Sequence, residues 1–442
     1  MLTVIKYLLL FHLALSMYGD EMKLSDIKIP SEYVSEPAFI EMLFQNPTPT
    51  KTLYASPSGS GSTCSSSSPC SLSKAVGKLQ KGYKLYLKGG SYNVKSGISI
   101  TASGTESQYI VISSAPNEVA KITSSSKGEI GLFSVEGSYI IIENITFEKV
   151  KAKEAKGIVL SDGGQHHVII RNNDFNNLNT TKINEDYGAN AILLIGENEK
   201  GIKKVIAYRN TIHQNYLGYS EALSVAGNCE EIYVLNNVVK SNTNIGIDFY
   251  GNAKYCRKAS LDQPRKSVDM YNYIEKSVSP YAECAGLYVD GSRDILLQYN
   301  KIVKSQYGIE VGAEEKVNSY PVKNIIVKDN IIEGSTETGL RIGGYDEKDS
   351  GLVKNATFSG NTITGSTYGA IISKAENILI EGNRFEGMND YFIDMEFTSS
   401  YTKKVEVKNN KFKGKGKFRV YKTTTYSLDN FIKKYPTNEK IQ

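Results

Sequence analysis

One short pattern recurs through most of this chain: two or three β-formers, a spacer, an asparagine, any residue, then isoleucine, valine or phenylalanine. In chain order it reads VIIRNNDF, VIAYRNTI, IYVLNNVV, DMYNYI, ILLQYNKI, IIVKDNII, ATFSGNTI, ILIEGNRF and VEVKNNKF. The asparagines in register are Asn173, Asn210, Asn237, Asn272, Asn300, Asn330, Asn361, Asn383 and Asn410, spaced 22 to 37 residues apart. A repeat of this length marks a unit that buries its apolar face only by stacking on its neighbours. The spacing fits a coil of three short strands joined by turns of variable length. The chain is therefore expected to be all-β, a right-handed parallel β-helix, which lets 442 residues form one body with no Pro/Gly/Ser linker dividing them. The asparagines read as structural. A coil bends sharply at the same point in every turn, and asparagine tolerates the left-handed conformation while its amide can join a stacked ladder.

A second column lies between these positions: GIVLS from Gly157, AILLIG from Ala191, ALSVAG from Ala222, GIDFYG from Gly246, GLYVDG from Gly286, GIEVG from Gly308, GLRIGG from Gly339 and AIISK from Ala370. Strand alternation sends Ile247, Phe249, Leu287, Val289, Ile309, Val311, Leu340 and Ile342 inward. Ser224, Asp248, Tyr288, Glu310 and Arg341 then point outward on consecutive coils, with Tyr250 and Asp290 in the next outward column. With coils about 4.8 Å apart and alternate residues about 6.6 Å apart, Asp290 falls roughly 8 Å from both Asp248 and Glu310. The stretch between Asn252 and Cys284 is expected to stand as a loop beside this face, carrying Lys254, Arg257, Lys258, Arg265 and Lys266.

The two ends read differently. Residues 1–19 have the form of a secretory signal, with Lys6 before an apolar run from Tyr7 to Leu15 and small residues at Ala14 and Ser16. Residues 20–50 form an N-terminal extension, 51–425 the β-helix and 426–442 a C-terminal cap. Ser71 to Leu79 carries Leu72, Ala75, Val76 and Leu79 at helical spacing, with Ser71 as N-cap, and is expected to cover the open end of the solenoid. No later stretch is apolar enough to span a bilayer, so the mature protein is expected to be secreted, extracellular and monomeric, with no membrane partner. In an oxidising compartment Cys64 pairs with Cys70 and Cys256 with Cys284, leaving Cys229 over. Asn144, Asn179 and Asn355 head glycosylation sequons. His166 and His167 lack a third ligand at zinc spacing. The net charge of +5 comes from scattered basic residues, and the Lys403 to Lys417 stretch reads as a solvated face, so nucleic acid is not an expected partner.

From LYASPSGSGS through YLKGGSYN to the last asparagine coil, the chain resembles secreted right-handed β-helix carbohydrate-active proteins, the polysaccharide lyases of the pectate lyase and chondroitinase B type among them. It is most similar to a bacterial β-helix group of mostly unassigned activity, through EALSVAGN, NIGIDFYGN, SPYAECAGLYVDGSRDI, YGIEVGAEE and GLRIGGYD. The resemblance implies a shared surface around Glu221, Asp248, Asp290, Glu310 and Tyr345 and a polysaccharide partner. It departs from calcium-dependent pectate lyases at SNTNIGIDFYG, where Asn242 and Asn244 replace a dense acidic cluster.

Two chemistries suit the carboxylates. In a lyase, Arg265, Lys266 or Lys258 would remove the proton α to a uronate carboxylate while Asp248, Asp290 and Glu310 hold Ca²⁺ through hard oxygen ligands. In an inverting hydrolase, two carboxyl groups about 6.5–9.5 Å apart serve as acid and base around a water. Arg341 would hold Glu310 ionised in either case. A lyase acting on an acidic glycan is placed ahead of a hydrolase. The rival of another class is a non-catalytic, wall-associated glycan binder in which Tyr250, Tyr288 and Tyr345 stack on sugar rings.

Overall fold

The computed structural model describes residues 23–317 and 319–441, so the signal segment expected at 1–19 lies outside the described residues. Each coil contributes one strand to each of three sheets. The first sheet runs from Lys51–Ala55 to Thr402–Lys408, the second from Gly90–Asn93 to Glu439–Lys440, and the third from Ile98–Ile100 to Lys417–Val420. Neighbouring strands pair in parallel throughout, except that Thr424–Tyr426 turns back antiparallel on Lys417–Val420 and closes the third sheet. This is the parallel β-helix that the repeat requires. Ile247, Phe249, Leu287, Val289, Ile309, Val311, Leu340 and Ile342 are all fully buried in one continuous core.

The asparagine column sits at the corner between the first and second sheets. Each backbone N–H donates to the amide oxygen of the next asparagine, from Asn173 to Asn210 at 3.1 Å through Asn383 to Asn410 at 2.9 Å, and each amide N–H₂ donates back to a strand carbonyl such as Ile170 O or Asp269 O. The ladder has a tenth rung, Asn438, which accepts from the Asn410 N–H at 3.1 Å. One detail differs from expectation. The left-handed residue at this corner is the one before each ladder asparagine, as at Asn172 (φ 54°), Tyr299 (φ 58°) and Asp329 (φ 54°), so the ladder asparagine serves by its amide and its neighbour makes the bend.

Both solenoid ends are covered. The N-terminal helix is shorter than its sequence pattern, Leu72–Val76. Ser71 occupies its N-cap position without a side-chain hydrogen bond, and the buried faces of Leu72, Ala75, Val76 and Leu79 hold it in place. At the other end the helix Leu428–Lys434 is capped by the Ser427 side chain, and Phe431 stacks on Phe418 at 3.7 Å between centroids.

Residues 26–46 are a strap laid over the outer face of the first sheet. Ile27, Tyr33, Phe39, Ile40 and Leu43 bury themselves against outward apolar residues of that sheet, including Ile141, Ile169, Ile206, Tyr233 and Met270. Buried Arg171 ties the strap down, donating to Leu43 O at 2.7 Å while paired with Glu143. His167 contacts Glu36 at 3.1 Å, so the histidine pair belongs to this seam.

The disulfide Cys64–Cys70 is formed. Cys256 and Cys284 are not joined; both are buried thiols, as is Cys229. Cys256 follows the C-terminal end of strand Ile247–Tyr250, whereas Cys284 immediately precedes the N-terminal end of its neighbour Ala285–Asp290, and these parallel strands put the two cysteines at opposite ends of the sheet.

Candidate functional site

The outward column of the third sheet has the register that alternation demands. Ser224 lies beside Asp248, Asp248 beside Tyr288, Tyr288 beside Glu310 and Glu310 beside Arg341, while Tyr250 pairs with Asp290 one step along. Pointing away from the core does not leave these side chains in water. Asp248 and Asp290 are each only 2% exposed, and Tyr288 is 4% exposed. The Tyr288 ring lies against Gly312, where an added Cβ would come within 2.7 Å of the hydroxyl, so glycine at that position makes room for the tyrosine. Glu221 and Glu310 are half-buried, and Glu314 stands exposed at the rim.

Hydrogen bonds join the members into one cluster. The Ser224 hydroxyl donates to the Glu221 carboxylate, and the Asn190 amide donates to Ser224 Oγ at 3.1 Å and to Glu221 O at 2.8 Å. The Glu314 N–H donates to Asp290 Oδ1 at 3.0 Å, and the Tyr288 hydroxyl bonds the Glu314 carboxylate. Asp248 Oδ1 is fully buried with no hydrogen-bond partner. Such an acceptor costs about 1–3 kcal/mol when left unmade.

Burial first, and then the neighbouring carboxylates, push Asp248 and Asp290 well above the usual aspartate range. Glu310 is pushed up to about 8 by burial, although Arg341 beside it acts in the opposite sense. Burial also raises Glu221, and it raises Glu314, whose carboxyl is turned in against Tyr288 although the residue as a whole stands at the rim. Close neighbours of one sign cannot all ionise together, so the cluster holds protons at neutral pH. Carboxylic acids poised in this way can donate a proton to a leaving group.

The sign of this effect on stability can be tested. A glutamate whose folded pKa lies above its unfolded value stabilises the fold most fully below about pH 4.5 and loses that contribution as pH rises through about 8. Glu310→Gln should therefore be near neutral for stability at pH 4 and stabilising by on the order of 2–4 kcal/mol at pH 9, since one pKa unit is about 1.4 kcal/mol. Thermal unfolding at the two pH values checks it; an equal shift at both would show that Glu310 is not the group titrating.

The flanks of the cluster are aromatic. Tyr250 packs edge-to-face on Tyr255 at 5.7 Å, with Tyr255 partly open, and Tyr345 is 56% exposed on the loop after Thr338–Ile342. The charges of Asp290 and Glu314 are felt at both Tyr250 and Tyr345. Tyr219, also exposed, packs edge-to-face on Tyr281 at 5.4 Å. Of the expected stacking residues, Tyr345 is open and Tyr250 partly so; Tyr288 is a buried wall of the cluster and offers no platform.

The cations expected to supply a base are elsewhere. Arg265 pairs with Glu230 at 2.9 Å and donates to Asn228 Oδ1, and Lys266 reaches Glu230 at 3.0 Å. Both lie at the start of the first-sheet strand Ser267–Met270, because the stretch from Asn252 to Cys284 contains two strands of a full coil and only its ends are loop. Lys258 pairs with Glu199 at 3.2 Å. Arg341 donates to Ser373 Oγ at 2.5 Å and Glu396 at 3.1 Å, so it moderates Glu310 without holding it ionised. Among the described residues no three His, Cys, Asp or Glu side chains are arranged to hold a metal ion.

Two participants are not evident from the sequence pattern. Glu314 sits two residues past the strand Tyr307–Gly312, where the tandem Glu314–Glu315 was the available signal; Asn190 lies inside an ordinary strand and gave none. Of the sequon asparagines, Asn144 and Asn355 are exposed. Asn179 is tied down, its amide oxygen accepting the Tyr216 N–H at 2.8 Å.

Comparison with known proteins agrees with this architecture. A family model described as a Pel9A-like, right handed beta helix region matches residues 53–253, and one described as a right handed beta helix region matches residues 285–428. The uncharacterized protein YwoF of Bacillus subtilis (strain 168) is 28% identical over 303 residues, which is 65% of this chain and 63% of that protein, less than two thirds of its length. Among solved structures, a GH136 lacto-N-biosidase from Eubacterium ramulus superposes with a TM-score of 0.54 at 12% identity, covering 87% of this chain and 69% of that one. The catalytic domain of a GH87 alpha-1,3-glucanase gives 0.54 at 13% identity, covering 90% and 69%. At such identities these structures share the fold.

Proposed function

We propose that this right-handed parallel β-helix protein, a relative in fold of the carbohydrate-active enzymes, is a secreted glycoside hydrolase in which Asp290 and Glu310 form the acid–base pair. The observation that carries the reading is a buried cluster of proton-holding carboxyls with which none of the candidate cations, Arg265, Lys266, Lys258 or Arg341, forms an ion pair. β-Elimination needs a base for the α proton and positive charge against the uronate. Inverting hydrolysis needs one carboxyl protonated, another ionised, and room for a water between them. Asp290 and Glu310 sit on adjacent coils two residues out of register, which strand and coil spacings put roughly 8 Å apart, inside the inverting range. Glu310, half-open and pushed up to about 8, suits the acid; Asp290, oriented by the Glu314 N–H, suits the base in the state in which the cluster's protons rest on its other carboxyls. The disulfide Cys64–Cys70 accords with an oxidising compartment. No step is routed through calcium.

The test is incubation of the purified protein with neutral, amino-bearing and acidic polysaccharides, with and without Ca²⁺, following both new reducing ends and the ultraviolet absorbance of unsaturated uronates. Reducing ends without the ultraviolet product are expected. Unsaturated product would replace this reading by the lyase, and binding without either signal would replace it by a glycan-binding protein.

A further inference from the structure

The strap covers only part of the first sheet's outer face. Ile169, Ile206, Tyr233, Val268, Leu296 and Ile326 follow one another coil by coil in one outward column, and the strap packs on them. The same column continues as Thr357, Leu379 and Glu406, of which the first two are half-exposed and the last exposed. Two open hollows of about 560 and 510 Å³ lie here. One runs from Glu32 and Tyr33 of the strap to Thr357, the other from Thr357 to Glu406, and Asn355 and Thr357 line both, so they form one groove along the solenoid axis.

One wall of the groove is a second asparagine ladder, exposed where the corner ladder is buried. Asn377 donates its amide to Asn355 Oδ1 at 2.8 Å, Asn355 to Asn324 Oδ1 at 3.5 Å, and Asn324 to Asp294 Oδ1 at 2.8 Å. All four are left-handed (φ 53° to 60°), as is Lys404 one coil further on (φ 52°), so the backbone turns the same way at each rung. Every amide spends one N–H on its neighbour and keeps a second N–H and an acceptor position for a ligand. From Asp294 to Lys404 is four coil spacings, about 19 Å, the length of about four pyranose units. The charges along the groove are matched. Lys266 pairs with Glu230 at 3.0 Å, Asp294 with Arg293 at 2.5 Å and Glu406 with Lys408 at 3.0 Å, while Glu32 and Lys404, one of each sign, stand at the two ends.

This chemistry selects the occupant. A protein partner needs an apolar or aromatic centre, and none of the exposed large apolar side chains among the described residues lies in the groove. A polyanion finds no surplus of cations there, and a polycation no surplus of carboxylates. A neutral glycan finds what it needs: uncharged donors and acceptors repeated at coil spacing for its hydroxyls, and the half-exposed aliphatic sides of Ile326 and Leu379 for the C–H faces of its rings. The strap already lies on this sheet face, and the groove prolongs its seat. We infer that the groove binds an uncharged polysaccharide, as a second glycan site on the first sheet, apart from the carboxyls of the third. The inference does not depend on the hydrolase reading: the groove anchors the protein on polymer whether or not the third sheet cuts it.

Affinity electrophoresis of the full chain through gels containing mixed-linkage glucan, galactomannan, arabinoxylan or polygalacturonate tests this, with Glu310→Gln as background so that no polymer is cut. At least one neutral polymer should retard the chain. The double variant Asn355→Gly with Asn377→Gly keeps the left-handed backbone and removes both amides, and should weaken that retardation by about 5-fold or more, as expected for lost neutral hydrogen bonds. Thr357→Arg, which sets a long side chain where the two hollows meet, should do the same, and unfolding midpoints confirm that each variant is folded. No retardation by any neutral polymer, stronger retardation by polygalacturonate, or undiminished retardation in both variants would overturn the inference. So would a sedimenting mass of two chains that falls to one in the same variants, because the groove would then be an interface between copies. The two readings fail separately: retardation that depends on Asn355 without new reducing ends keeps the groove and discards the hydrolase, whereas reducing ends that depend on Glu310, from a polymer that does not retard the chain, keep the hydrolase and discard the groove.

Discussion

Asp290→Asn should lower turnover by about 10²–10⁴-fold, the usual contribution of a general acid or base, while leaving the protein at least as stable as the parent. The two halves of this result come from the same feature. Asp290 is buried among like charges and held above its ordinary range, so its ionised form is costly to the fold. Asparagine keeps an oxygen to accept the Glu314 N–H and occupies nearly the same volume, but it cannot take a proton from water or return one. Reducing-end assays across pH, paired with thermal unfolding at pH 8, separate the effects. Unchanged turnover would remove Asp290 from the reaction, and a fall in Tm of several degrees would show that the carboxylate holds the fold together. The parent should also lose activity as pH rises through the value of its acid. Glu310, at about 8, sets that alkaline limb, and Glu310→Gln should abolish it along with most of the turnover.

The second large effect lies far from the chemistry. Asn300 accepts the Asn272 N–H at 2.9 Å, donates its amide to Asp269 O at 2.9 Å, and passes its own N–H to Asn330 at 2.9 Å. Alanine leaves one N–H and one carbonyl buried without partners, each costing about 1–3 kcal/mol, so Asn300→Ala should destabilise by about 3–4 kcal/mol. The neighbouring Asp269 increases the cost. It faces the solenoid interior, its carboxyl is pushed well up by burial, and only one of its oxygens is bonded, to Asn272 at 2.9 Å. Stability here is a sum of coil-to-coil interfaces, so the damage should be local and show in hydrogen exchange as lost protection across the coils of Asn272, Asn300 and Asn330. An unaltered denaturation midpoint would mean that water takes the place of the amide and that the ladder is incidental to stability. Since Asn300 is at the opposite corner of the coil from the carboxyls, turnover of the folded fraction should hold.

The way a solenoid is held together explains how much of this was legible in the sequence. Each coil contacts only the coils before and after it, so a repeating pattern in one dimension carries over directly into register in three. The period therefore determined the fold, the asparagine column its corner, and alternation the order Ser224, Asp248, Tyr288, Glu310, Arg341 on the third sheet together with the diagonal place of Asp290. Cys64 and Cys70, six residues apart, were close enough for sequence to pair them.

Features that obey no period were decided only by the tertiary structure. Loop paths set the destination of Arg265 and Lys266, which go to Glu230 because the chain rejoins the first sheet there. Parallel strand polarity, and not the bracketing of a loop, keeps Cys256 from Cys284. The strap through Tyr33 and Phe39 crosses a sheet face whose residues are spread over nearly two hundred positions, so no local pattern announces it. The proposed chemistry rests on one such decision. Outward alternation implied solvent at Asp248 and Asp290, but packing withdrew them from it, and in the low dielectric that resulted a row of ordinary carboxylates became a set of proton-holding acids.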